Sequence, residues 1–215
     1  MKYQTVIFDF DGTLADTSQG ILNCHKYAHH MMGRPEPTEE MLRSVIGGPL
    51  LQTYRTVFNF SEADARKAVA YYRQRYAEQG LYEIKLYPGI KIVLETLKKS
   101  GCQIGIATLK AECFLDSMLR NMEIQNCFDA VFGMNNDDNR TKAQLIKLCI
   151  QKLCSTPRDA ILVGDSVYDR DGAQCAGIDF LGVTYGFGFT KGTIAVQVNA
   201  IAMADDCTQL LKWLI

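Results

Sequence analysis

Short apolar runs recur along the chain and alternate with segments that have helical spacing. In the segment Ile90–Lys99, apolar residues lie at positions 90, 93, 94 and 97, which is the spacing of one helix face. Strands that alternate with helices predict a parallel sheet covered on both faces, so we expect an α/β fold. The predicted strands are the apolar runs 5–10, 103–107, 130–132, 160–163 and 180–183.

One long stretch breaks this alternation. Between about residue 16 and residue 82 the pattern predicts helices and no convincing strand. Ser61, followed three residues later by Asp64, indicates a capping box that opens a helix over Glu62–Glu78. We therefore expect a helical domain over residues 16–84, inserted into an α/β core formed by residues 1–15 and 85–215.

Composition and charge narrow the function classes. The 215 residues include 23 Lys and Arg against 24 Asp and Glu, a formal net charge of −1. Such a balance weighs against a nucleic-acid polymer or an anionic membrane as partner. No apolar run approaches the roughly 18 residues that a membrane helix needs, and the N-terminus lacks the pattern of a signal peptide. We expect a cytoplasmic protein that is a monomer or a weak homodimer.

The cysteines and histidines do not indicate a metal centre. The eight cysteines are scattered without a C-x-x-C pair, so we expect mostly buried, reduced thiols, with Cys149 and Cys175 as examples. His25 and His29 lie four residues apart on a predicted helix and could in principle bind zinc. No third ligand follows at a suitable spacing, so zinc is not favoured.

The strongest chemical signal is the acidic pair at the end of the first predicted strand. Asp9 and Asp11 lie two residues apart, followed by Gly12, where a parallel sheet presents its ligands. Two neighbouring carboxylates repel each other, and a hard cation such as Mg²⁺ would relieve that repulsion. A chance acidic pair in a loop is the alternative.

A second acidic group follows another apolar strand. Asp165 comes directly after the run 160–163 and Gly164, so it is expected at the same sheet edge as Asp9. Asp169 and Asp171 have a structural alternative, because an acidic residue in the first turn stabilises a helix. That alternative leaves Asp165 unexplained.

Two further residues are candidates for binding an anion. Thr108 ends a predicted strand and could donate to a phosphate oxygen, although it could equally cap the next helix. Lys142 follows Thr141 in a capping box and would begin its helix, where a cation opposes the helix dipole. A site role explains that placement better than helix stability does. Lys110 and Arg140 could also neutralise anionic groups at this strand edge, but a surface charge is the favoured interpretation for each.

Taken together, these segments resemble the haloacid dehalogenase-like hydrolases. DFDGTLADT is similar to the first motif of that superfamily, IAT to the second, Lys142 to the third, and GDSVYD with GAQCAGI to the fourth. The resemblance covers nearly the whole chain and implies a Rossmann-like parallel sheet with a helical cap domain. One departure is Ala143, where the family often has proline after the lysine.

The resemblance also implies a role for each matching residue. Asp9 would be the nucleophile and Asp11 the general acid and base, with Thr108 and Lys142 binding the phosphate. Mg²⁺ would be held by Asp9, by the backbone carbonyl of Asp11 and by Asp165, with Asp169 as a further metal-site residue. The expected substrate is a small phosphorylated metabolite, and the reaction passes through an aspartyl-phosphate.

The substrate class is less defined. YPGIKIVLETLKKSG and VTYGFG are typical of phosphoglycolate phosphatases, whereas IGGPL and DDNRTKAQLI look like a 5′-nucleotidase-like group. A nucleotide base could stack on Tyr54, Phe58 or Tyr72, although packing between helices is the simpler explanation for these rings. A phosphosugar mutase, a pyrophosphatase or a non-catalytic module that binds a phosphorylated metabolite are the alternatives.

The predicted cap contains one candidate specificity loop. Residues 46–51 include Gly47 and Gly48 between two predicted helices, where a glycine backbone can approach a substrate closely. We expect this loop to face the catalytic carboxylates and to set the leaving-group preference.

Overall fold

A computed structural model describes residues 2–215, and the chain divides into two compact units. One unit comprises the residues up to Asp16 together with Leu86–Ile215, and the other is Thr17–Lys85. Within the described residues, no helix combines the length and the apolar character that crossing a membrane requires. The role of the smaller unit as a cap stays a prediction.

The larger unit is built on a six-stranded parallel sheet, which confirms the predicted α/β class. Its strand order is β5-β4-β1-β6-β7-β8, so the first strand of the chain lies in the middle. Each neighbouring pair is parallel. The strands are β1 (Thr5–Phe8), β4 (Gln103–Ala111), β5 (Ala130–Met134), β6 (Ala160–Gly164), β7 (Asp179–Val183) and β8 (Ala202–Ala204). Strands β2 (Ala15–Asp16) and β3 (Lys85–Leu86) form a separate two-stranded sheet.

Among the described residues, five α-helices belong to this unit, and their apolar faces form the core with the sheet. The central strands β1 and β6 are fully buried and apolar except for Thr5, as expected for strands that are covered on both faces. Ile90, Val93, Leu94 and Leu97 are all buried, which confirms the helical spacing of that segment. The helices are α5 (Ile90–Lys99), α6 (Glu112–Asn121), α7 (Lys142–Lys152), α8 (Val167–Ala176) and α9 (Leu211–Leu214).

The sheet differs from the sequence prediction in three details. β1 ends at Phe8, so Asp9 and Asp11 both lie in the loop beyond it. β4 continues to Ala111, so the prediction that Thr108 ends its strand is wrong. β8 has only three residues, too few for a hydrophobic period to indicate a strand.

The smaller unit contains four helices and an aromatic core. They are α1 (Ser18–Met31), α2 (Glu39–Ser44), α3 (Leu50–Thr56) and α4 (Glu62–Glu78). The Ser61 side chain accepts from the Asp64 N–H at 3.1 Å, so Ser61 caps the start of α4 as predicted.

Buried rings fill the interior of this helical unit. The ring of His25 packs against Tyr54, Phe58 and Tyr72, and its Nδ1 lies 3.1 Å from the Tyr54 hydroxyl. His29 Nδ1 lies 3.0 Å from the Pro35 carbonyl oxygen. Both histidines are therefore core residues.

The cysteines divide evenly between interior and surface. Four of the eight are buried, three are exposed and Cys127 is half-buried, and all of them are free thiols. The expectation of a buried thiol is right for Cys149 and wrong for Cys175, which is exposed. Cys149 lies between Leu148 and Ile150, whereas Cys175 lies between Gln174 and Ala176 on the exposed face of an amphipathic helix.

Candidate active site

The loops after three adjacent strands of the sheet bring the candidate residues together. β1 lies between β4 and β6, and the Asp9 N–H continues the pairing by donating to the Val163 carbonyl at 2.9 Å. Asp9, Asp11, Thr108 and Asp165 are all buried. This is the sheet edge predicted from the sequence. From β1 the chain order of the strands runs to β4 on one side and to β6 on the other, and ligands of parallel sheets bind at such a switch point.

Three buried carboxylates form a cluster at this edge. One oxygen from each of Asp9, Asp165 and Asp169 lies within 4.8 Å of the others. The second oxygen of Asp165 accepts from the N–H groups of Phe187 and Gly188, at 2.7 and 3.1 Å. These two bonds fix the orientation of the Asp165 carboxylate.

Asp169 has both a structural contact and a place in the cluster. Its Oδ2 accepts from the Ser166 N–H at 3.0 Å and from the Ser166 hydroxyl at 2.7 Å, which completes a capping box at the start of α8. Asp169 also belongs to the acidic cluster, and its Oδ1 lies 2.6 Å from Lys142 Nζ. The capping alternative therefore holds for Asp169 and does not exclude a site role. It fails for Asp171, which is exposed and pairs with Arg170.

Lys142 is the cation at the centre of the cluster. It is the first residue of α7, behind a complete capping box between Thr141 and Gln144. Its Nζ lies 2.5 Å from Asp9 Oδ1 and 2.6 Å from Asp169 Oδ1, and its side chain is 6% exposed. Gly172 of α8 makes room for its aliphatic stem.

Burial and like charge perturb the protonation of these groups. Burial raises the pKa of Asp9 well above the usual carboxyl range, even though Lys142 opposes the shift. Burial also raises the pKa of Asp165, and the charges of Asp169 and Asp9 raise it further. For Lys142, burial alone would lower the pKa, but the attraction of Asp169 and Asp9 outweighs it and the pKa is raised.

The three carboxylates of the cluster outnumber Lys142, and burial adds to the cost of ionising Asp9 and Asp165. A second cation would favour the ionised form of all three carboxylates. Carboxylate oxygens are the ligands that Mg²⁺ prefers, and one or two of them with waters suffice. The donor set of Asp9, Asp165 and Asp169 therefore fits a hard divalent ion.

Lys110 corrects the sequence interpretation. It is not a surface charge: its side chain is 5% exposed, and Nζ lies 2.9 Å from Asp11 Oδ1 and 3.3 Å from Oδ2. The sequence pattern favours the surface for Lys110 because it ends the strand at Thr108, whereas β4 continues to Ala111 and includes Lys110.

The structure also gives the hydrogen-bond partners of Thr108 and Arg140. The Thr108 hydroxyl oxygen accepts from the Lys110 N–H at 3.2 Å. Thr108 is not a helix cap, since Ala111 precedes α6. Arg140 Nη1 donates to Glu112 Oε2 at 2.9 Å and to the Gly133 carbonyl at 3.2 Å, with its side chain 33% exposed. Arg140 thus ties β5 and α6 to the segment before Lys142.

Gly47 and Gly48 belong to the helical unit. They lie between α2 and α3, and Gly47 has a φ of 81°, a conformation that favours glycine. The proposed contact of this loop with a substrate stays a prediction.

Carboxylates, a buried lysine and a threonine at the carboxyl edge of a parallel sheet define an α/β enzyme with a polar active site. The family described as haloacid dehalogenase-like hydrolase matches residues 6–183. This chain belongs to that family, as its motifs predict, and is a hydrolase.

Three comparisons illustrate the relationship. A 5′-nucleotidase of Pseudomonas aeruginosa is 35% identical over 189 residues, which cover 87% of this chain and 86% of the relative. A tyrosine-protein kinase, PtkA, of Mycobacterium tuberculosis is 32% identical over 97% of this chain and 72% of its own length. The crystal structure of a predicted phosphatase from Clostridium acetobutylicum superposes with a TM-score of 0.91 at 32% identity, covering 99% of this chain and 98% of that one.

Proposed function

We propose that this chain is a Mg²⁺-dependent phosphatase that hydrolyses small phosphate monoesters through an aspartyl-phosphate on Asp9. The observation that carries the proposal is the position of Asp9 itself. This carboxylate is buried at the carboxyl edge of the sheet, against Lys142 and within a cluster that fits a divalent cation. A nucleophile in this position can split one difficult hydrolysis into two easier transfers.

Charge explains why a cation and a lysine accompany the nucleophile. A phosphate monoester carries two negative charges and repels a carboxylate, so positive groups must offset that repulsion. The Mg²⁺ would be held by Asp9, Asp165 and the backbone carbonyl of Asp11, with Asp169 beside it, and would supply Lewis acidity to the phosphate. Lys142 and Thr108 bind phosphate oxygens in this proposal.

Asp11 supplies the proton transfers. It protonates the oxygen of the leaving group while Asp9 attacks phosphorus. It then takes a proton from the water that attacks the aspartyl-phosphate, which releases phosphate and restores both carboxyl groups. General acid–base catalysis of this kind contributes about 10²–10⁴-fold to a rate.

The residues of the helical unit bear on two alternatives, a phosphosugar mutase and a base-stacking nucleotidase. Residues 46–51 contain only apolar residues, glycine and proline, which gives no support to a phosphosugar mutase with a basic residue there. Tyr54, Phe58 and Tyr72 are all less than 9% exposed within that unit, so packing accounts for them and base stacking is not supported. The 5′-nucleotidase relative nonetheless makes nucleoside monophosphates the first substrates to test.

The test is a substrate panel with and without Mg²⁺. It contains nucleoside monophosphates, phosphoglycolate, sugar phosphates and pyrophosphate, with EDTA-treated protein and Mg²⁺ re-addition as the matched pair. We expect release of phosphate from at least one monoester, loss with EDTA and recovery with Mg²⁺. Binding of a phosphorylated metabolite without turnover would support the non-catalytic alternative. Transfer from labelled ATP to a tyrosine polymer would redirect the assignment toward the kinase relative.

A further inference from the structure

Lys110 makes an unusual buried contact with the proposed acid and base. Its Nζ lies 2.9 and 3.3 Å from the two oxygens of Asp11, a residue 99 positions away in the sequence. The two side chains are 5% and 7% exposed, and the Nζ also lies 5.7 Å from the centre of the Phe10 ring. A single ammonium group therefore bridges both oxygens of the Asp11 carboxylate.

An irregularity in β4 brings Lys110 to this position. Ala107 pairs with Phe132 and Ala111 pairs with Met134, so four steps along β4 match two steps along β5. Within this irregular stretch Thr108 and Lys110 are buried. An irregular strand next to a functional site commonly redirects a side chain.

The same residue also orients the phosphate-binding hydroxyl. The Lys110 N–H donates to the Thr108 hydroxyl oxygen at 3.2 Å. Because the oxygen is the acceptor in this bond, the hydroxyl hydrogen stays available to a phosphate oxygen. Lys110 thus contacts two of the residues to which the proposed reaction assigns a role.

Fold stability does not account for a buried ion pair of this kind. Removing two charges from water costs about as much as their attraction returns, so such pairs often give no net stabilisation. A functional role explains better why a charged pair occupies this place.

We propose that Lys110 is a positioning residue, which holds the Asp11 carboxylate in the orientation for proton exchange with the leaving group and with water. The inference rests on the phosphatase function proposed above. A carboxylate has about four lone pairs. One ammonium group fixes the plane of the carboxylate and leaves the remaining lone pairs to the reacting oxygens.

Asp11 acts in two successive steps of the proposed reaction, and two types of ester distinguish them. In the first step an Asp9 oxygen bonds to phosphorus, the bond to the leaving oxygen breaks, and Asp11 gives that oxygen a proton. In the second step water bonds to phosphorus, Asp11 accepts its proton, and the bond to Asp9 breaks. p-Nitrophenolate is a weak base and can leave phosphorus without being protonated. An alkoxide is a strong base and must receive a proton as it leaves, so only the alkyl ester needs Asp11 as an acid in the first step.

The experiment compares these two ester types in Lys110 variants. For Lys110→Met, we expect kcat/KM for an alkyl phosphate such as glycerol 3-phosphate to fall by about 10²-fold, the size of a lost general acid. We expect kcat/KM for p-nitrophenyl phosphate to change by less than about threefold, because its first step needs no proton. Rapid mixing of that ester should show a burst of p-nitrophenolate equal to the enzyme, since hydrolysis of the aspartyl-phosphate becomes slow.

Control variants separate positioning from folding. Lys110→Arg keeps the cation and should recover part of the alkyl-ester activity. If Lys110→Met folds poorly, Lys110→Gln replaces it, because glutamine keeps a hydrogen-bond donor without the charge. Equal losses of kcat/KM for both esters, without a burst, would overturn the proposal. A wild-type protein that is inactive on the whole substrate panel would instead overturn the phosphatase function, and a fully active Asp9→Asn would overturn the nucleophilic role of Asp9.

Discussion

Gly172→Ala is a small change that should disable the site without unfolding the protein. A Cβ built at Gly172 lies 2.5 Å from Lys142 Cγ and 2.8 Å from Lys142 Cβ, with Ile146 Cδ1 at 3.4 Å. Carbon atoms do not approach so closely, so the Lys142 stem or helix α8 must move. Either movement alters the contact of Lys142 with Asp9.

Two opposing energies set the expected stability. Alanine in a helix interior is favoured over glycine by about 1 kcal/mol. Overpacking a filled interior costs about 1–3 kcal/mol. The net loss of about 0–2 kcal/mol is small beside the 5–15 kcal/mol typical of a folded domain, so the variant stays folded. A shift of about 1 Å in a catalytic group can nonetheless cost about 10²-fold in rate.

The assay is kcat/KM for the best monoester of the panel, measured beside the unfolding midpoint in urea. We expect Gly172→Ala to lose about 10²-fold in kcat/KM with a nearly unchanged midpoint. Cys175→Ala, an exposed position on the same helix, is the matched control and should keep full activity. Wild-type kcat/KM in Gly172→Ala would refute the argument that this glycine exists to admit Lys142.

Three further predictions concern other parts of the molecule. Asp165→Asn should raise the Mg²⁺ concentration for half-maximal activity at least about tenfold, and calorimetric titration with Mg²⁺ should show the same weakening; unchanged affinity would remove Asp165 from the metal site. Burial lowers the pKa of His25 in the folded protein from 6.5 to about 3, so between these pH values the imidazole binds a proton only in the unfolded chain. The free energy of unfolding should therefore fall by about 1.4 kcal/mol for each pH unit below 6.5. Urea unfolding at pH 7, 6 and 5 should give a shallower decline for His25→Phe, and parallel curves would contradict this. Gly48→Leu should reorder the substrate panel while p-nitrophenyl phosphate hydrolysis changes little; a uniform loss would show that the loop does not select substrates.

The sequence predicts the sheet well because its strands are buried on both faces. β6 is a continuous apolar run and β1 is one after Thr5, and the acidic residues after both strands mark their carboxyl ends. The capping box before Lys142 is equally local, since its two partners lie three residues apart. Local patterns of this kind are readable without a structure.

Contacts between distant segments are not readable in the same way. Nothing near Lys110 indicates that it pairs with Asp11, because the pairing depends on the register of β4 beside β1 and on the irregular pairing with β5. The dual contacts of Asp169, with Ser166 along the helix and with Lys142 across the site, likewise follow from packing. Side-chain exposure on an amphipathic helix, as at Cys175, depends on which face the sheet covers.

Chemical trapping of the aspartyl-phosphate tests the central claim most directly. An acyl-phosphate is reduced by borohydride to an alcohol, so an aspartyl-phosphate at position 9 becomes homoserine. The Lys110→Met variant, quenched during turnover of p-nitrophenyl phosphate and analysed by peptide mass spectrometry, should carry homoserine at position 9, and the same treatment without substrate should leave Asp9 unchanged. Homoserine at another aspartate, or none at all in protein that is turning over substrate, would contradict nucleophilic catalysis by Asp9.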